Sequence, residues 1–138
     1  LLERVARSGM PTARTFILGF SQGGCLGLEY LARNPRALGG LFALSAAMIE
    51  NGDKPRQYFG SLQGTPVLFG CSDRDPHIPI ERVRRSIDLM RGLQARVIER
   101  IYPNMGHMVN ADEIATVRDL IGSAGDGAAP WPRVGDVS

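Results

Sequence analysis

The chain has 138 residues, 43% of them hydrophobic and 22% charged, with a formal net charge of +2. That length suits one domain, and the apolar fraction is enough for a buried core. The near balance of charge argues against a nucleic-acid partner and the two cysteines against a disulfide scaffold; no apolar run approaches the roughly 18 residues of a membrane span.

Leu1, Leu2, Val5 and Ala6 fall at helical spacing, and Gly9 with Pro11 ends them. The first residues lack the basic-then-apolar pattern of a signal peptide, so the expected compartment is the cytoplasm; the start at Leu1 instead of Met leaves room for an upstream segment. Residues 15–20 are apolar without polar alternation, which predicts a strand buried on both faces. Residues 19–24 predict a tight turn, and residues 25–33 a helix that stops before Pro35. Residues 41–44 predict a second buried strand, followed by an irregular stretch broken by Gly52, Asp53 and Pro55. Residues 66–71 predict a third strand and residues 81–93 a helix. Val83, Ile87 and Met90 form the apolar stripe of that helix, which assigns Arg82, Arg84 and Arg85 to its solvated face. Residues 95–102 alternate as an edge strand does, residues 103–110 form a loop, and a last helix opens at Asp112 and runs to about Ile121. The domain is expected to span 1–122. Residues 123–138 read as a disordered tail with Trp131 its apolar anchor. Cys25 and Cys71 read as small buried thiols. Strands alternating with helices predict an α/β fold with a mostly parallel sheet and helices on both faces.

The strongest chemical signal is Gly19-Phe20-Ser21-Gln22-Gly23, a G-x-S-x-G pentapeptide between a predicted strand and a predicted helix. That context is the nucleophile elbow, a turn sharp enough to strain the serine backbone. Gly19 and Gly23 lack Cβ atoms, which would let strand and helix approach. Ser21 then stands at a helix N-terminus, where the backbone N–H of Gln22 faces the site of a developing oxyanion. A phosphate-cradling loop would want a Lys before Ser or Thr, and none is near. A serine needs a base, and the chain has two histidines, His77 and His107. The order Ser, then acid, then His favours His107. With His77 as base, the acid would have to be Asp53 or Asp75, only two residues away, neither well placed; His77 reads as an exposed residue at the rim. Asp73 and Asp75 both follow the third strand, and residue physics alone barely separates them.

Gly-Phe-Ser-Gln-Gly-Gly at 19–24, Ser-Asp-Arg-Asp-Pro-His-Ile-Pro at 72–79 and Met-Gly-His at 105–107 resemble the phospholipase/carboxylesterase family. That family includes bacterial carboxylesterases and acyl-protein thioesterases. The resemblance covers roughly residues 1–121 and implies an α/β-hydrolase fold. It assigns Ser21 as nucleophile, His107 as base and Asp75, followed by Ile78 and Pro79, as acid. It makes Gln22 one oxyanion-hole donor. Asp112 and Glu113 match a helix start. It implies hydrolysis of carboxylic esters, with lysophospholipids or acyl thioesters among the candidate substrates, and neither cofactor nor metal. Met48, Met105 and Met108 are expected in core or loop packing more than in an acyl groove. The expected partner is a small-molecule ester, with no nucleic acid and no stable membrane insertion. The family begins with further strands and a His-Gly-x-Gly-like loop that supplies the second oxyanion donor. No such stretch occurs here, so the chain is expected to be the C-terminal portion of the fold. The alternative is a truncated, non-catalytic remnant. A dienelactone hydrolase would carry Cys at position 21, where this chain has Ser.

Overall fold

The computed structural model describes residues 1–50, 52 and 56–125. Asp53, Pro55 and Trp131 lie outside the described residues. The elements are α1 (Leu2–Arg7), a 3-10 turn (Thr12–Arg14), β1 (Phe16–Phe20), α2 (Gln22–Arg33), β2 (Gly40–Leu44), β3 (Pro66–Ser72), α3 (Ile80–Gly92), β4 (Arg96–Tyr102) and α4 (Ala111–Gly125). The four strands form one sheet in the order β1-β2-β3-β4, and every pairing is parallel.

Side-chain alternation divides the core into two layers. Leu41, Ala43, Val67, Phe69 and Val97 project to one face, where Leu28 and Leu31 of α2 and Val83, Ile87 and Met90 of α3 cover them. Phe42, Leu44, Leu68 and Ile98 project to the other, against Val117 and Leu120 of α4. Phe42 and Phe69 are wholly buried, one on each face. Each such side chain contributes roughly 1.5–3 kcal/mol. β2 and β3 are buried at every position, as their continuous apolar runs predict.

β1 departs from the expectation of a strand buried on both faces. Among the described residues it is an edge paired with β2 alone, and Leu18 is 57% and Phe20 45% exposed. β4, read as an edge, is the opposite edge. Two helices are longer than expected. α2 begins at Gln22, so residues 22–24 are its first turn and not a separate loop. α4 continues to Gly125, past the expected end near Ile121 and into the stretch read as tail. Gly122 does not stop it, and the Ser123 hydroxyl donates back to the Asp119 carbonyl within the same helix (2.9 Å). The helix 80–92 keeps Arg84 and Arg85 on its exposed side, Arg85 pairing with Glu50. Arg82 instead turns inward and donates twice to the Met48 carbonyl, at 2.9 and 2.8 Å. Cys25, Cys71 and Met48 are buried. Among the described residues no helix is long and apolar enough to cross a membrane.

Candidate active site

In a parallel sheet the carboxyl ends of the strands all open on one side, and loops there converge. Ser21 follows β1, Asp75 follows β3 and His107 follows β4. The sheet therefore brings together side chains up to 86 positions apart in the chain.

Ser21 has φ +52°, left-handed backbone that a non-glycine residue adopts at a cost of order 1–3 kcal/mol. The elbow is held on both sides: the Ser21 N–H donates to the Leu44 carbonyl (2.9 Å), and the Ser21 carbonyl accepts from the Cys25 N–H (3.0 Å) as α2 starts. The glycines that permit this approach are Gly19 and Gly24, not Gly19 and Gly23. A Cβ on Gly19 would fall on the backbone of Gly23 and Gly24, and one on Gly24 would lie 2.5 Å from Ala46 Cβ. A Cβ on Gly23 would meet open space.

The Ser21 hydroxyl lies 2.8 Å from His107 Nε2, and His107 Nδ1 lies 2.7 Å from Asp75 Oδ2. The arrangement is self-consistent for one tautomer, in which Nδ1–H donates to Asp75 and Nε2 accepts from Ser21. The other oxygen, Asp75 Oδ1, accepts the backbone N–H groups of His77 (2.7 Å) and Ile78 (3.0 Å). Burial pushes the Asp75 carboxyl up, but the His107 ring and those two N–H groups outweigh it, so the carboxyl sits below its ordinary range. Asp73 points elsewhere. It is exposed and accepts the Asn104 N–H (2.7 Å). The imidazole of His107 is flanked by Phe20 (centroids 5.1 Å apart) and, edge-on, by the exposed His77 (4.8 Å). His77 thus stands exposed beside the His107 ring, and the hydrogen bond it gives Asp75 comes from its backbone N–H. Ser45, just past β2, is fully buried and donates to the Met108 carbonyl (2.9 Å). Met105 is half-buried and Met108 exposed, both in the loop that carries His107.

Sequence reasoning missed the supports of that loop. The Asn110 N–H donates to Glu113 Oε2 and the Glu113 N–H to Asn110 Oδ1, both at 2.8 Å, a reciprocal cap at the start of α4. The Asn-x-x-Glu spacing was available as a signal. Glu113 is wholly buried over Gly70, where any Cβ would strike its Oε1. Burial pushes the Glu113 carboxyl up from its ordinary value. Away from the site, Glu29 of α2 gathers Arg33 (2.7 Å), Arg56 (2.5 Å) and Tyr58 (2.8 Å) beside an open cavity of about 690 Å³. That cavity reaches Ala32 and Arg33, some 17 Å along α2 from Ser21 at about 1.5 Å per residue. It lies apart from the three side chains at the sheet's carboxyl end. Among the described residues no cluster of three or more His, Cys, Asp or Glu is placed to hold a metal ion.

A parallel sheet with helices on both faces, and a serine at a strained strand-to-helix turn, is the architecture of an α/β-hydrolase. Within that class the chain belongs to the phospholipase/carboxylesterase family, whose profile matches residues 1–123. It is 32% identical to acyl-protein thioesterase 1 of Gibberella zeae over 130 residues, covering 88% of this chain and 52% of that protein. A probable inactive carboxylesterase of Oryza sativa subsp. japonica is 28% identical, covering 83% of this chain and 46% of the rice protein. Among solved structures, a phospholipase/carboxylesterase from Dyadobacter fermentans matches with a TM-score of 0.80 at 34% identity, over 87% of this chain and 57% of that one. The chain spans about half the length of the curated relatives it matches.

Proposed function

We propose that this chain carries the catalytic triad of a serine hydrolase that cleaves carboxylic esters through an acyl-enzyme. The observation that carries the reading is the unbroken relay of 2.7 and 2.8 Å from Asp75 through His107 to Ser21. Ser21 Oγ attacks the ester carbonyl carbon while His107 Nε2 takes its proton. The imidazolium then returns that proton to the leaving alkoxide or thiolate, leaving Ser21 acylated. Water, deprotonated by the same nitrogen, attacks the acyl carbon; the Ser21 C–O bond breaks, the imidazolium returns the proton to Ser21 Oγ, and the acid is released. Asp75 holds Nδ1–H throughout and stabilises the cation without taking the proton. The Gln22 N–H supplies one oxyanion donor. The second belongs, by the family resemblance, to a loop before the first strand of this chain. Removing one such donor costs about 10²–10³ in rate.

The proposed substrates are carboxylic esters, including lysophospholipids and acyl thioesters; the similarity to an acyl-protein thioesterase supports the last. The proposed partner is the small-molecule ester itself, with no nucleic acid and no cofactor. The second reading, a non-catalytic remnant, draws on the similarity to the rice protein named as a probable inactive carboxylesterase. Fluorophosphonate labelling followed by mass mapping separates the two. The hydrolase reading expects the adduct on Ser21 and its loss in Ser21→Ala. An adduct elsewhere, or none, overturns it.

A further inference from the structure

The loop that delivers His107 is braced on both sides of that residue by buried hydroxyls from the ends of two different strands. Before it, the Gly106 N–H donates to Ser72 Oγ (3.0 Å), at the last position of β3. After it, the Met108 carbonyl accepts from Ser45 Oγ (2.9 Å), just past β2. Both serines are wholly buried. Gly106 sits at φ +78°, a conformation only glycine adopts freely, and a Cβ there would meet open space, so the hydrogen bond from its N–H is what the geometry offers to fix the loop before His107. Ser45 is itself at φ +46°, an unfavourable backbone for a serine, held by its N–H donating to the Gly70 carbonyl (2.7 Å). Strain at a buried residue that touches the histidine loop is the sort of outlier that points to function. Ser72 Oγ also accepts the Arg74 N–H (3.1 Å), so the same oxygen shapes the turn that leads to Asp75. One hydroxyl therefore sets the positions of acid and base together.

We propose that Ser45 and Ser72 are positioning residues for the hydrolysis, holding His107 within reach of both Ser21 and Asp75. This rests on the reading of His107 as the base. Neither serine touches the reacting atoms; each acts through the backbone next to the imidazole. A misplacement of about 1 Å at a catalytic group can cost 10²-fold, and a lost hydrogen bond several-fold.

The test is the rate of Ser21 labelling by a fluorophosphonate on this chain with the family's preceding strands supplied, resolved into a maximal rate constant and a reagent affinity. Ser45→Ala and Ser72→Ala are each expected to lower the maximal rate by about 5- to 100-fold with affinity unchanged. In a His107→Ala background, which labels slowly, adding either change is expected to cost nothing more, since the group they position is gone. Ser45→Gly removes the hydroxyl while relieving the backbone strain, and is expected to label as slowly as Ser45→Ala even if it is the more stable protein. Equal losses in the parent and His107→Ala backgrounds, or full-rate labelling of Ser45→Gly, would overturn the inference. A parent chain unlabelled at Ser21 would instead sink the hydrolase reading, and this inference with it.

Discussion

At the scale of single residues, two aspartates two positions apart have different work because of where each carboxylate points. Asp75 accepts from His107 and from two backbone N–H groups, while Asp73 accepts one backbone N–H at the surface. Asp75→Asn presents an amide where a carboxylate is needed and favours the wrong imidazole tautomer. The expected loss in kcat is about 10⁴, as for the equivalent change in the serine-protease example. Asp73→Asn is expected to keep kcat near the parent value. Steady-state hydrolysis of a p-nitrophenyl ester checks both, and equal losses would reassign the acid. Asp75 and Glu113 also pull stability in opposite directions with pH. The Asp75 carboxyl is lowered on folding, so its contribution is present above the unfolded carboxyl range and is lost as pH falls through the folded value. The Glu113 carboxyl is raised, so stability is highest below the unfolded value near 4.5 and falls as pH rises through the folded one. Glu113→Gln keeps a capping side chain without the charge. Its melting temperature is expected to exceed the parent's at neutral pH, with the advantage shrinking below pH 4.5. An advantage that grows on acidification would contradict the assignment.

Among elements, the elbow depends on how closely β1 can approach α2. Gly19 and Gly24 meet backbone and Ala46 at that crossing, while Gly23 looks into open space. Gly19→Ala and Gly24→Ala should each cost at least roughly 1–3 kcal/mol, the usual range for overpacking, because the obstacles include rigid backbone. Gly23→Ala should be neutral or stabilising by up to about 1 kcal/mol, since alanine is the better helix residue. Denaturant unfolding of the three variants separates the sites, and a destabilised Gly23→Ala would show that the helix start is misplaced. The G-x-S-x-G pattern alone does not show this division, because it names the outer glycines without showing what each faces.

At the scale of the whole molecule, β1 is the exposed side of the design. Its register with β2 is uninterrupted from Phe16 to Phe20, no strand among the described residues pairs with its other edge, and Leu18 and Phe20 stand exposed beside it. Free apolar edges without Lys, Pro or a bulge recruit further strands. The isolated chain is therefore expected to self-associate with rising concentration and to be a poor esterase. Supplying the strands that the family resemblance places before this region, fused or in trans, is expected to improve both solubility and turnover. Leu18→Lys should shift the isolated chain toward monomer. Size-exclusion chromatography with light scattering reads both effects. A monodisperse parent turning over at a typical enzymatic rate of around 10 s⁻¹ would show that the chain builds its own second oxyanion donor.

What the sequence determined by itself is what short-range patterns encode. Apolar runs mark three strands and alternation the fourth, helical spacing and breakers mark the helices, and a glycine-flanked serine between strand and helix marks the elbow. These signals are local because periodicity and glycine freedom act over a few residues. Residue physics alone left Asp73 level with Asp75, and the family resemblance favoured Asp75. Only the tertiary structure shows which carboxylate meets His107, because that depends on how the loops after β3 and β4 fold over parallel strands. It likewise decided that Ser45 is a buried brace, that Gly24 rather than Gly23 makes the close contact, and that β1 is an edge. Each of these depends on a neighbour distant in the chain, and a linear pattern carries no record of what the fold places beside it.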